Sequence, residues 1–258
     1  MMSLDLLAKH DRSIPILGKE GHEHLANSVV VIAGLGAIGS IFFEIMVRQG
    51  IGIVIAIDPD QTVENHNLDR QFLYREIDLG KQKATAAMET AKEINKEVDV
   101  VSYVGTFSQA VNSSLRETIR SADLIVSAID NRLGRYSVSR FAYIHGIPHL
   151  DGATGEFNCR AYVFPNPQAG PCYLCTMNKK DYEEISESFS CTRRNDNNVV
   201  APAITETGVQ VANILAVEAI KLLLGMPTPY NEVRMNLYEW KIFTEKIEAN
   251  LSHSNGHI

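Results

Sequence analysis

The chain is short of cysteine, of net positive charge and of long apolar runs, and each shortage removes a class of protein. Four cysteines in 258 residues are too few for a disulfide scaffold, and two of them share one Cys-x-x-Cys, Cys172 and Cys175, which points to metal or sulfur chemistry. The net charge of −7 argues against a nucleic-acid-binding surface as the main role. No apolar run reaches the ~18 residues that a membrane span needs. The N-terminus, MMSLDLLAKHDR, lacks the layout of a signal peptide. The expectation is a cytoplasmic protein with neither membrane nor nucleic acid as partner. Internal repeats are lacking too. What is present is ample apolar content, 45% hydrophobic against 21% charged, enough for a sizeable core.

The most informative stretch is Val29 to Gly39, VVVIAGLGAIG. An apolar strand, Val29 to Ala33, runs into Gly34-x-Gly36-x-x-Gly39, and a helical pattern follows from Ile41 to Gln49. In such a strand–turn–helix Gly34 permits the tight turn, Gly36 lets a phosphate approach the backbone, and Gly39 lets helix and strand pack closely. The helix N-terminus offers free N–H groups to the anion. A second strand, Ile53 to Ile57, ends at Asp58, about 20 residues on, where such folds place a ribose-binding carboxylate.

Residues 1 to 27 read as helical in patches, with Leu6, Leu7, Ile14, Ile16, Leu17 and Leu25 as burial points. After Asp58 the polar stretch Asn65 to Gln71 is loop-like. Helical periodicity marks Gly80 to Asn95, Ala110 to Arg120 and Arg132 to His145. Strands are expected at Val98 to Val104, at Leu124 to Ile129 ahead of Asp130-Asn131, and from Ile147. This alternation means an α/β fold, doubly wound around a mostly parallel sheet. Beyond Gly152, Ala161 to Phe164 is a further strand, and Lys179 to Val199 is polar without clear periodicity. Thr205 to Leu224 is a long apolar helix, and Val233 to Trp240 and Lys241 to Ile247 are strand-like, a C-terminal extension of the sheet. The whole is one domain: a helical segment over 1–27, a nucleotide-binding half over 28–151 and a closing half over 152–258.

By Gln71 the residues match more than a generic dinucleotide fold. Gly34-Leu35-Gly36-Ala37-Ile38-Gly39, Asp58-Pro59-Asp60, His66-Asn67-Leu68-Asp69-Arg70-Gln71, Gly80-Lys81-Gln82-Lys83, Asp130-Asn131 and Pro171-Cys172-Tyr173-Leu174-Cys175 occur in order. In that order they resemble the ThiF/MoeB/HesA family and the adenylation domains of ubiquitin-activating enzymes, from about Ile14 to Ile247. The departures are Ala37 where the family often has a second glycine, one extra residue between Asp58 and Asn67, and Arg12-Ser13 in place of an N-terminal Arg-Gln. The family's second Cys-x-x-Cys is missing near the C-terminus.

The resemblance implies a Rossmann-like fold and adenylation, in which a carboxylate attacks the α-phosphorus of ATP held with Mg²⁺. Catalysis then needs cations and fixed dipoles, the task of Arg70 and Lys83. Asp130 suits magnesium and phosphate orientation. The nucleotide set is completed by Gly34, Gly36, Ala37, Gly39, Asp58, Asp60, Asn67, Gln71 and Asn131. By the same resemblance Arg12 reaches the phosphates of a partner subunit in a homodimer, weighed against a plain surface role. Cys191, followed by Arg193 and Arg194, stands where some relatives carry an acyl- or sulfur-accepting thiol, and neighbouring arginines would lower its pKa. Cys159 reads as a buried small hydrophobe. For zinc, Cys172 and Cys175 supply half a site, and His253 and His257 have the spacing to replace the missing cysteines.

The expected substrate is the C-terminal glycine of a small ubiquitin-like or sulfur-carrier protein, with a peptide precursor as the alternative. An NAD-dependent oxidoreductase suits the glycines and Asp58 equally well, but has no reason to cluster Arg70 and Lys83 there. A degenerate nucleotide-binding scaffold is the non-enzymatic alternative, supported by the missing cysteine pair and the altered N-terminal motif.

Overall fold

In the computed structural model the described residues are 8–178, 181 and 202–249. Cys191, Arg193, Arg194, His253 and His257, and most of the polar stretch from Lys179 to Val199, lie outside them. The chain builds α1 (Ile14–Ala26), β1 (Val29–Ala33), α2 (Gly39–Gln49), β2 (Ile53–Asp58), α3 (Lys83–Ile94) and β3 (Asp99–Val104). The short α4 (Phe107–Ala110) and α5 (Arg116–Arg120) precede β4 (Leu124–Ser127), α6 (Arg132–His145), β5 (His149–Gly155) and β6 (Asn158–Phe164). Then come α7 (Thr205–Leu223), β7 (Glu232–Asn236) and β8 (Lys241–Glu245).

The described strands form one eight-stranded sheet in the order β3-β2-β1-β4-β5-β6-β7-β8. The first five pair in parallel and β6, β7 and β8 add on antiparallel, the expected extension. β1 is buried on both faces, as parallel strands covered by helices are. Val30 and Ile32 join the core under α2, α3 and α7, while Val31 and Ala33 join Phe107, Ile119, Val138 and Ala142 on the other side.

Three expectations are corrected. Ala110 to Arg120 is two short helices rather than one. The Ser113 hydroxyl donates to the Ala110 carbonyl at 2.7 Å and accepts from the Leu115 N–H at 3.2 Å. Such local bonds offer the backbone an alternative to the helix. Ile16 is 80% exposed while Leu25 is fully buried, because α1 breaks at Gly18, where φ is 74°. β4 stops at Ser127, two residues earlier than read, leaving Ala128 to Asp130 as a loop at the sheet's carboxyl end.

The glycine turn is the tightest point of the sheet domain. A Cβ at Gly39 would sit 1.9 Å from the Gly34 carbonyl oxygen, and one at Gly34 would sit 2.5 Å from that of Ala128. A Cβ at Gly36 would meet nothing within 4 Å. Gly39→Ala is therefore expected to destabilise the fold by about 1–3 kcal/mol, the range for overpacking, while Gly36→Ala leaves urea stability unchanged and weakens nucleotide binding. Equal stability losses in the two variants would contradict this division.

Candidate active site

β1 continues to β2 and β3 on one side, and β4 and β5 lie on the other, so the strand order reverses between β1 and β4. Open α/β sheets bind ligands in the crevice at the carboxyl ends of such strands. The Ala128 N–H donates to the Ala33 carbonyl at 2.8 Å, which sets the glycine turn directly beside the loop that carries Asp130.

Beneath the turn lies a buried polar cluster. Asp58 is 4% exposed, and its carboxylate accepts from the Leu35 N–H at 2.6 Å and the Asp60 N–H at 2.9 Å. The residue read as a ribose ligand thus also fixes the glycine turn. Burial raises its pKa, and the two backbone donors and the charge of Lys83 oppose that shift. Lys83, at the start of α3, is almost wholly buried and donates to Asp60 at 2.5 Å. Tyr74 closes the cluster, its hydroxyl donating to the Leu35 carbonyl at 3.1 Å.

Arg70 and its neighbours stand on the loop after β2. The Asn67 side chain accepts from the Glu64 N–H at 3.0 Å and so holds the loop's first turn. Arg70 donates to the His66 carbonyl at 2.6 Å and to Asp69 at 2.8 Å, with its side chain 23% exposed. Gln71 is buried, and its Oε1 has no hydrogen-bond partner among the described residues. The loop is tied down by the Thr205 hydroxyl at the start of α7, which donates to the Asp69 carbonyl at 2.7 Å. Asp130 and Asn131 are exposed; Asn131 caps α6 by accepting from the Gly134 N–H at 2.7 Å. Arg12 is exposed.

The fit to a nucleotide rests on the open space at Gly36, beside a buried cation and an exposed carboxylate. Of the sequence-derived residues, Gly34, Gly39, Asp58, Asp60 and Lys83 form one contiguous cluster, with Asp130 beside the turn. Cys172 and Cys175 flank a short turn, their sulfurs 4.0 Å apart. Their mutual hydrogen bond and burial push the Cys172 thiol up. Among the described residues no group of three or more His, Cys, Asp or Glu is placed to hold a metal. No helix among them is long and apolar enough to cross a membrane. Cys159 is buried as expected, its thiol pushed up to about 11 by burial.

Sequence reading missed a second buried group, on β5 and α6. Arg135 pairs with the fully buried Asp151, whose carboxyl is pushed up to about 6 by burial, against the pull of the Arg135 charge. His149, also fully buried and stacked on Phe164, is pushed down to about 3 by burial and then by Arg135. The signal available was the pair of polar residues inside the strand His149-Leu150-Asp151.

These features define a nucleotide-binding α/β domain, and the comparisons specify its kin. Residues 10–256 match the ThiF family, and the chain belongs to it. It is 33% identical over 220 residues to a sulfur carrier protein adenylyltransferase of Thermus thermophilus, covering 84% of this chain and 76% of that one. To the sulfur carrier protein ThiS adenylyltransferase of Bacillus subtilis it is 35% identical, covering 81% of this chain and 58% of that one. The chain therefore spans only part of some relatives. Two solved structures share the fold: Escherichia coli MccB with succinimide, at TM-score 0.76 and 22% identity over 94% of this chain and 72% of that one, and PaaA, at 0.77 and 22% over 96% and 84%.

His149 takes up a proton in the unfolded chain near pH 6.5 but only near pH 3 in the folded one, so its contribution is full above 6.5 and lost as pH falls toward 3. Asp151 acts in the opposite sense below about 6. Between pH 6.5 and 4, His149→Leu should lose stability less steeply than wild type, by about 1.4 kcal/mol per pH unit. Urea titrations at several pH values check this; parallel slopes would refute it.

Proposed function

We propose that this chain is an ATP-dependent adenylyltransferase that activates the C-terminal glycine of a small ubiquitin-like or sulfur-carrier protein. One carboxylate oxygen bonds to the α-phosphorus of ATP, the bond to the β-phosphate bridge breaks, and acyl-adenylate and pyrophosphate result. The observation that carries this reading is Lys83, a cation kept buried beside the glycine turn. Hydride transfer to NAD has no use for it, whereas phosphate charge developing in flight does. Lys83 would leave Asp60 for the phosphates, and Arg70 would turn from its own loop to meet them. Asn67 and Gln71 shape that loop, Asp58 faces the ribose, and Asp130 with Asn131 holds the metal side. Mg²⁺, when bound, neutralises phosphate charge. A peptide carboxylate is the second reading, since the MccB fold is shared and one solved form is described as MccB with MccA.

A homodimer and a structural zinc belong to the same proposal. The apolar stretch of α7 supports a dimer less directly than its sequence implies, because Val211, Leu215, Ala219 and Leu223 are buried against the chain's own core, leaving Val217 exposed. Arg12, exposed near the N-terminus, would serve a second copy. For zinc, sulfurs 4.0 Å apart are close to the spacing of roughly 3.8 Å that two thiolates take on one tetrahedral ion. Thr176 lines one cleft with Lys246, Ile247 and Glu248, so the chain leading to His253 and His257 passes beside the cysteine turn.

Lys83→Ala and Arg70→Ala are each expected to lower ATP–pyrophosphate exchange by about two orders of magnitude, roughly 3 kcal/mol. Asp130→Ala should fail similarly, with little recovery in high Mg²⁺. Cys191→Ser should leave exchange intact, since Cys191 would act only after adenylate forms. Near-normal exchange in Lys83→Ala, or NAD turnover in its place, would overturn the assignment.

Native mass spectrometry reads assembly and metal together. A dimer with one zinc per chain is expected, and truncation after Asn250 should release the zinc and lower Tm, since metal binding is coupled to folding. A monomer would remove the role of Arg12 across the interface. Zinc that survives truncation would exclude His253 and His257 as ligands.

A further inference from the structure

We propose that Arg135 is the positioning residue for Asp130 in the adenylation step, an inference that rests on the reading above. Asp130 is held by its backbone on both sides. The carbonyl of Ile129 accepts from Arg135 Nε at 2.7 Å, and Asn131 is fixed as the cap of α6 by the Gly134 N–H at 2.7 Å. Among the described residues the Asp130 carboxylate has one side-chain contact, 3.4 Å from the Asn131 amide. The backbone on either side of Asp130 is thus anchored, while its carboxylate stays exposed.

Arg135 does this from the centre of the domain. Its Nη2 donates to the Gly152 carbonyl at 2.9 Å and its Nη1 pairs with Asp151. The guanidinium therefore joins the loop after β4 to the middle of β5. The side chains of Arg135 and Asp151 are 12% and 0% exposed, and a buried ion pair is a costly means of stabilisation that apolar side chains often match. What apolar residues cannot do is hold the carbonyls of Ile129 and Gly152 with a single side chain. A lysine has the charge but not the fork. The pair is explained by geometry required at Asp130 rather than by stability.

The test is a double-mutant cycle in ATP–pyrophosphate exchange, with a small carrier protein ending in Gly-Gly as the carboxylate. Arg135→Lys should lower kcat on the order of 10²-fold, the cost of misplacing a reacting group by about 1 Å, while KM for ATP stays within about threefold. In an Asp130→Asn background the same change should cost less than about threefold, because the position it controls no longer matters. Equal losses in both backgrounds would show a merely structural role and overturn the proposal. Should Arg135→Lys fail to fold, Asp151→Asn keeps the shape and removes the charge. It should lower kcat by about tenfold only where Asp130 is intact, and full activity in it would overturn the proposal. Wild-type protein without exchange on any such carrier, or on a peptide carboxylate, would instead overturn the adenylation reading.

Discussion

The contact between the glycine turn and the end of β4 is the constraint on which the rest depends. The Gly34 and Ala128 backbones approach so closely that Gly34 has no room for a Cβ, and the Gly34 carbonyl in turn leaves none at Gly39. That approach brings the first N–H groups of α2 and the carboxylate of Asp130 to one crevice. It also explains the burial of Asp58: its carboxylate caps the Leu35 N–H, which the turn leaves without a strand partner. Removing a charge from water for this purpose is unfavourable, as the raised pKa of Asp58 records, and Lys83 nearby offsets it. A nucleotide that takes Lys83 would therefore also remove support from the Asp58 carboxylate.

Two buried polar groups flank the crevice and work differently. Around Asp58 the charges lie under the turn, with Lys83 paired to the half-exposed Asp60. Around Arg135 they are sealed in the core, with His149 held neutral beside them. The first group adjoins the glycine turn and the second ties strands to helix.

Most of the architecture was legible in the sequence, because apolar strands and periodic helices follow from local pattern. The strands β1, β2 and β3 and the helices α2, α3, α6 and α7 fall where the periodicity puts them. The break between α4 and α5 was not legible, because it depends on which backbone groups the Ser113 hydroxyl reaches. Nor was the exposure of Ile16, which depends on a bend at Gly18. In the site, the ordered motif located Lys83, Asp58 and Asp130. It could not show that Asp60 holds Lys83, that Asn67 serves its own turn, or that Arg135 meets Asp151, since those pairings come from strand register and helix packing. Periodicity sees an arginine on α6 as a surface charge.

The hydrogen bond from Thr205 to the carbonyl of Asp69 spans 136 positions of chain. Its consequence concerns the order in which the protein is made. A ribosome delivers β1, the glycine turn, Asp58 and Lys83 well before it delivers Thr205, and domains begin to organise from the end that emerges first. The anchor of the Arg70 loop arrives only with the last third of the polypeptide. A nascent chain would thus own the glycine turn before it owned the anchor of the Arg70 loop.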